Sequence, residues 1–258
     1  MYNDLLSIGP VTIHGYGLMI GIGVIAALLI GDKRAQKRGM DGELIYGMTI
    51  AAVVLGFMAA RVLFIITEWS NFVKDPMRYI TGQGFVVFGG LIGGILTVVG
   101  YCKIKKVRAI DYIDLMAPSV AVAQGFGRLG CLLAGCCYGR ETTSAIGIVF
   151  RASNFAPNNV KLLPTQIFMS VGDFIIAGIL FWFASKPRRD GEVVCLWLIM
   201  YSIGRFVVEF FRNDYRGSIG PLSTSQFIGC IMVVVVTIIY FTVLPKLSKK
   251  ETESSVEE

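Results

Sequence analysis

Charge is scarce in this sequence. Only 16% of its 258 residues are charged, against roughly 25% in ordinary soluble domains. Histidine is nearly absent, with His14 standing alone, and no Cys-x-x-Cys pair occurs. A tetrahedral zinc site is therefore not expected. No basic stripe interleaved with aromatics is present, which excludes a nucleic-acid groove. The glycines do not form a G-x-G-x-x-G turn after a strand, which excludes a dinucleotide fingerprint. No internal repeat is visible, so the inverted halves of many transporters are missing. Residues 1–14 hold no positive cluster, and no small-residue cleavage site follows the first apolar block. That block is expected to be a retained span and not a signal peptide.

What remains is long apolar blocks. Hydrophobic residues make up 54% of the chain and the mean hydropathy is +0.66. About 20 apolar residues in a helix, at roughly 1.5 Å rise each, cross a hydrocarbon core. The blocks predict an all-α polytopic membrane protein with spans at 16–31, 44–67, 84–101, 110–135, 164–184, 193–211 and 221–244. Residues 1–245 are expected to form one transmembrane domain, and the polar tail 246–258 to be disordered. The fourth span is expected to be the least regular, interrupted by Pro118 and by Gly125, Gly127 and Gly130.

The net charge of +6 is explained by topology. Lys33, Arg34, Lys37 and Arg38, then Lys103, Lys105, Lys106 and Arg108, then Lys186, Arg188 and Arg189, then Lys246, Lys249 and Lys250 put fourteen cations in alternate loops. The other loops hold seven: Lys74, Arg78, Arg140, Arg151, Lys161, Arg212 and Arg216. The positive-inside rule then sets the amino terminus outside and the carboxyl terminus in the cytoplasm. Two outer-face segments are long enough to fold locally. Residues 68–83 carry Trp69, Phe72 and Tyr79, suited to an interface, and 138–163 hold a β-like run at 145–150.

Several charges fall inside the spans: Arg61, Arg128, Arg205 and Glu209, with Asp114 and Asp173 within or near them. An arginine at mid-bilayer costs about 2.5 kcal/mol or more. It needs a partner, an aqueous cavity or an anionic ligand. Arg61 and Arg205 each lie six residues from the outer end of their span, roughly 9 Å along a helix, and Arg128 lies in the outer half of its own. Arg205 and Glu209 share a helix face, with Tyr201 one turn earlier. A guanidinium engages two phosphate oxygens at once, so the layer suits an anionic headgroup. The other reading pairs the arginines with carboxylates or with backbone carbonyls freed at glycines. Glycines at 84–94 and 125–130 allow either close helix contact or bare backbone facing a ligand.

Several ordered fragments resemble the bacterial prolipoprotein diacylglyceryl transferase family, from His14 to about Leu244. They are Tyr16-Gly-Leu-Met, Gly89-Gly90-Leu-Ile-Gly, Asp114-x-x-Ala-Pro118, Gly127-Arg128-Leu-Gly130, Pro164-Thr165-Gln166 and Arg205-Phe-x-x-Glu209-Phe-Phe-Arg212. The resemblance implies transfer of diacylglyceryl from phosphatidylglycerol to the lipobox cysteine of prolipoproteins, in the bacterial inner membrane. It implies catalytic roles for Arg128, Arg205, Glu209 and Tyr16. It implies substrate contacts for Asp114 and Gly139, beside those of Arg128 and Arg205; Arg61, Gly89 and Gly90 are added as expected substrate contacts by their place in the outer layer of arginines and glycines. The partners are phosphatidylglycerol, prolipoprotein signal peptides and membrane lipids; no metal or organic cofactor and no nucleic acid is expected.

The chain departs from the family at identifiable positions. Phe88 stands where the family often has histidine, Cys131 where it often has asparagine, Cys136 at a glutamate position, and Met169 at another. The base is left open between Glu209, Tyr16 and self-ionisation of the incoming thiol. A second reading is a non-catalytic relative that binds anionic phospholipid or signal peptide. Cys102, Cys195 and Cys230 read as packing residues, whereas Cys131, Cys136 and Cys137 are either small buried thiols or a disulfide.

Overall fold

The computed structural model describes residues 4–8, 11–81, 84–186, 188–213 and 217–245, so the tail at 246–258 lies outside the described residues. In chain order the elements are β1 (Asp4–Ile8), β2 (Val11–His14), α1 (Gly15–Lys37), α2 (Gly42–Thr67), α3 (Trp69–Phe72), α4 (Pro76–Thr81), α5 (Val87–Ile104), α6 (Ala109–Ala134), β3 (Ile148–Val149), β4 (Lys161–Leu162), α7 (Thr165–Phe183), α8 (Glu192–Glu209), β5 (Ser218–Ile219), β6 (Leu222–Ser223) and α9 (Thr224–Thr242). The strands form three antiparallel pairs, β1–β2, β3–β4 and β5–β6.

A long helix covers each expected span. Five of them, α1, α2, α5, α7 and α9, are long and apolar enough to cross a membrane. The other two, α6 and α8, carry Asp111, Asp114 and Arg128, and Glu192, Arg205 and Glu209. The helices leave large apolar side chains bare, with Leu96 65% and Trp182 63% exposed. Apolar faces of this extent belong against lipid. The chain is a mostly helical membrane protein.

The fourth span is not interrupted as expected. Helix α6 runs unbroken past Pro118 and all three glycines. Glycine costs a helix only about 1 kcal/mol, and two of these three pay that back in contact. A Cβ at Gly125 would strike the Phe174 ring of α7, and one at Gly130 would stand 3.2 Å from the Tyr16 ring and carbonyl oxygen of α1. Pro118 is fully buried, held by neighbouring helices as prolines in membrane helices commonly are. The segment at 68–83 forms α3 and α4, and the β-like run at 145–150 shortens to β3. The β1–β2 hairpin was not anticipated.

The chain divides into two compact units, Gly31–Tyr112, and Met1–Ile30 with Ile113–Glu258. In the first, α2 and α5 meet along a seam of small residues. A Cβ at Gly89 would clash with the Ala59 carbonyl and Ala60 Cα, and one at Gly56 would stand 3.2 Å from the Gly90 carbonyl. Without side chains between them the two backbones touch, the packing that lipid-embedded helices use.

The second unit holds the core formed by α6, α7 and α8. Ala117 and Ala121 pack against Ile176, Ala177 and Leu180 and against Val193. Polar contacts fix the register: Ser170 Oγ donates to the Gly125 carbonyl at 2.9 Å, and Trp197 Nε1 to Gln124 Oε1 at 3.2 Å. Helix α9 starts with a reciprocal capping box between Ser223 and Gln226 and packs on α8 through Cys195 and Val236.

Candidate functional site

The end of α8 places two guanidinium groups on one carboxylate. Arg205 and Glu209 are four residues apart, so their side chains share a face. Arg205 Nη1 lies 2.5 Å from Glu209 Oε2, and Arg205 Nη2 donates to Ser225 Oγ of α9 at 2.9 Å. Arg212 Nε approaches the same Glu209 oxygen at 3.8 Å, and its side chain is 2% exposed. By sequence position Arg212 falls among the loop cations, but the structure buries it beside Glu209. Its spacing of three from Glu209 was the available signal.

Arg212 is placed by backbone pairing to a distant segment. Gly139 and Arg212 form an antiparallel bridge. Arg140 N donates to the Phe211 carbonyl at 3.0 Å, and Gly139 N to the Leu163 carbonyl at 3.0 Å. The 139 strand thus lies between two neighbours. A Cβ at Gly139 would stand 2.7 Å from the Leu163 carbonyl oxygen and 2.8 Å from that of Phe211. Only glycine fits, and the reason is packing against backbone.

Arg128 of α6 donates from Nη2 to the Tyr201 hydroxyl at 3.1 Å. Tyr201 lies one turn before Arg205 on α8, and Arg128 and Arg205 are within electrostatic reach of one another. Asp173 of α7, buried with Oδ2 lacking a hydrogen bond, faces Arg128 as countercharge. The Tyr16 hydroxyl also lies within reach of Arg128. The structure therefore brings together Tyr16, Arg128, Arg205 and Glu209, with Tyr201, Asp173 and Arg212 added.

Asp114 lies elsewhere. Its Oδ1 accepts from Val194 N at 2.9 Å, capping the amino-terminal turn of α8. Val194 is eleven residues before Arg205, about 16 Å along the helix. Arg61 belongs to the other unit. Its Nη1 donates to the Gly84 carbonyl at 2.7 Å, and its guanidinium lies 5.3 Å from the Phe85 ring centre. Gly89 and Gly90 serve the α2–α5 seam, and Phe88 beside them is 52% exposed.

The turn after α6 collects three thiols. Gly135, at φ +74°, ends the helix. Cys136 N donates to the Cys131 carbonyl and Gly135 N to the Leu132 carbonyl, the paired bonds of a Schellman motif. Cys137 then takes a left-handed φ of +59°. The Pro-Thr-Gln fragment pins this turn: Thr165 Oγ1 donates to the Cys137 carbonyl and Gln166 Nε2 to the Cys136 carbonyl, both at 2.7 Å. The three sulfur atoms lie within 4.8 Å of one another. The cysteines stand here as free thiols.

The chemistry this arrangement offers is anion binding. Three guanidinium groups, at positions 128, 205 and 212, face two carboxylates, Asp173 and Glu209. Arginines so placed can draw a phosphate out of the headgroup layer.

Comparison with known proteins agrees. The family model described as prolipoprotein diacylglyceryl transferase matches residues 3–242. The phosphatidylglycerol–prolipoprotein diacylglyceryl transferase 2 of Clostridium perfringens (strain 13 / Type A) is 46% identical over 243 residues, 93% of this chain and 94% of the relative. The phosphatidylglycerol–prolipoprotein diacylglyceryl transferase of Clostridium tetani (strain Massachusetts / E88) is 45% identical over 224 residues, 86% of this chain and 90% of the relative. That of Streptococcus pyogenes serotype M5 is 31% identical over 236 residues, 89% of this chain and 90% of the relative. A match of this length, with the arginine cluster standing where the fragments led, leaves one conclusion: the chain belongs to the prolipoprotein diacylglyceryl transferase family.

Proposed function

We propose that this chain transfers the diacylglyceryl group of phosphatidylglycerol to the lipobox cysteine thiol of prolipoproteins in the bacterial inner membrane. All seven long helices cross the bilayer in this reading, with the amino terminus outside and the carboxyl terminus cytoplasmic. The arginine cluster then opens toward the outer leaflet. The observation that carries the reading is the cluster itself: Arg128 on Tyr201, and Glu209 shared by Arg205 and Arg212.

The reaction is a substitution at an sp3 carbon. The peptide sulfur, as thiolate, forms a C–S bond to the glyceryl carbon while the C–O bond to phosphate breaks. The electron pair leaves on the phosphate, and glycerol phosphate departs with the proton balance closed by water. Negative charge builds on the leaving oxygen, so cations fixed beside it lower the barrier. Arg128 and Arg205 supply that charge. Glu209 orients Arg205: its oxygen is shared between the Arg205 and Arg212 guanidinium groups, which suits a positioning role better than that of a base. Tyr16, exposed by 43% at the start of α1 and within electrostatic reach of Arg128, meets the incoming peptide in this reading.

The test is direct. Purified protein is incubated with phosphatidylglycerol vesicles and a lipobox peptide, and the product mass is read. A peptide carrying a thioether-linked diacylglyceryl group is expected. Its absence, with folded protein and intact substrates, would leave lipid or signal-peptide binding as the better reading.

A further inference from the structure

We propose that Cys131, Cys136 and Cys137 form a three-thiolate site for a soft divalent metal ion of the zinc class, with one position open to the peptide thiol. This rests on the transferase reading above for the identity of that thiol, but not for the metal.

The geometry comes from the helix terminator. A Schellman motif brings the side chains three residues before the end and two residues after it into contact, and here both are cysteines, Cys131 and Cys136. The left-handed backbone at Cys137 is uncommon for a residue with a side chain. It turns the third sulfur onto the same point, and Thr165 and Gln166 hold the turn there. A tetrahedral metal with sulfurs at about 2.3 Å spaces them roughly 3.8 Å apart. From within 4.8 Å, closure needs about 1 Å of movement.

Charge and ligand number choose the ion. Three thiolates and a dication leave one negative charge, and the Arg128 guanidinium lies within electrostatic reach to balance it. A monocation would leave two. Among the described residues no fourth cysteine, histidine or carboxylate joins the group, so one position stays open, as in catalytic zinc sites. Cys131 and Cys137 are buried, which keeps water from competing.

The open position fits the reaction. A metal-bound thiol is deprotonated outright, so the site would supply the thiolate that no histidine at position 88 can generate. The peptide S–H binds and releases its proton to water as the metal–sulfur bond forms. That sulfur then forms the C–S bond as the C–O bond to phosphate breaks, and the leaving phosphate takes up a proton from water. The metal keeps its oxidation state throughout.

The experiment uses the full chain, purified in detergent under reducing, oxygen-free conditions, stripped of metal and titrated with cobalt(II). One cobalt per chain with thiolate-to-cobalt charge-transfer bands is expected, displaced by zinc and altered by a lipobox peptide but not by its serine analogue. C131S, C136S and C137S should each lose the bands while retaining the wild-type thermal transition of the metal-free protein. Cobalt uptake no greater than that of the triple serine variant would overturn the site. Bands indifferent to the peptide thiol would overturn its open position. Transfer is measured on the same samples. A triple serine variant with the wild-type rate and pH profile would sink the inference and leave the transferase reading standing. Cobalt bands with no thioether product under any condition would uphold the metal and refute the transferase.

Discussion

Arg212 reaches Glu209 from beyond the end of α8, its Nε 3.8 Å from the oxygen that Arg205 also engages. One carboxylate thus holds two cations in place in an apolar protein. Removing one member of a buried charge pair typically costs 3–5 kcal/mol, because the partner is left uncompensated. Glu209→Gln is therefore expected to cut transfer by about 100-fold or more and to lower the thermal midpoint. A variant with near-normal rates and stability would show that the arginines do not depend on Glu209.

Arg128 and Tyr201 offer a graded comparison. Tyr201→Phe deletes one hydrogen bond to a charged donor, worth about 1.5–3 kcal/mol. It is expected to slow transfer by roughly 10- to 100-fold, since each 1.4 kcal/mol is tenfold. Arg128→Ala, which removes the cation itself, is expected to abolish product while the protein stays folded in the membrane. Steady-state rates with phosphatidylglycerol, set beside membrane yield, check both. Equal effects of the two changes would place Arg128's role in structure.

Gly139 is expected to tolerate no side chain. Gly139→Ala puts a methyl against two carbonyl oxygens, which displaces Arg212 and with it the anchor of Glu209. Gly172→Ala on α7 meets nothing within 4 Å, and should stabilise by up to about 1 kcal/mol. Protease resistance and transfer rate should fall for the first and hold for the second. A fully active Gly139→Ala protein would break the link between the bridge and the site.

Asp114 caps α8 through the Val194 amide. Loss of such a cap costs about 0.5–2 kcal/mol. Asp114→Ala should lower the melting temperature, whereas Asp114→Asn still offers a carbonyl acceptor and should keep most of it. Thermal unfolding in detergent separates the two, and indistinguishable melting of all three proteins would refute the cap.

Topology can be read by labelling. In a background with exposed Cys230 changed to serine, Asn158→Cys is expected to react with an impermeant maleimide on intact cells. Ser254→Cys is expected to react only after permeabilisation. Labelling of both from one side would exclude seven spans.

Sequence pattern carried the helices well, because lipid demands long apolar runs and tolerates little else. Boundaries of α2 and α7 fall within two residues of the expected spans. It places a break in α6 that the structure does not have, because glycine and proline propensities in water leave out the neighbouring helices that press on them. The pairing of Arg205 with Glu209 was legible, since both lie on one helix face. Ser225 was not, since nothing local says which helix will pack against α8. The three cysteines stand out as a group in the sequence, but the turn that converges their sulfurs does not, for a related reason. A helix-ending glycine can be guessed, but the left-handed turn at Cys137 depends on hydrogen bonds from Thr165 and Gln166, twenty-eight and thirty positions away from their partners.

The bond from Arg205 to Ser225 of α9 has a consequence for the order of synthesis. Helices are inserted into the bilayer as the chain emerges, and α9 comes last. Until it docks, Arg205 lacks one of its two holders, and the carboxylate that remains must orient it alone. A nascent or truncated chain ending before Thr224 would insert most of its apolar helices and still carry an unfinished cation cluster. If Arg205 acts as proposed, activity waits for completion of the polypeptide.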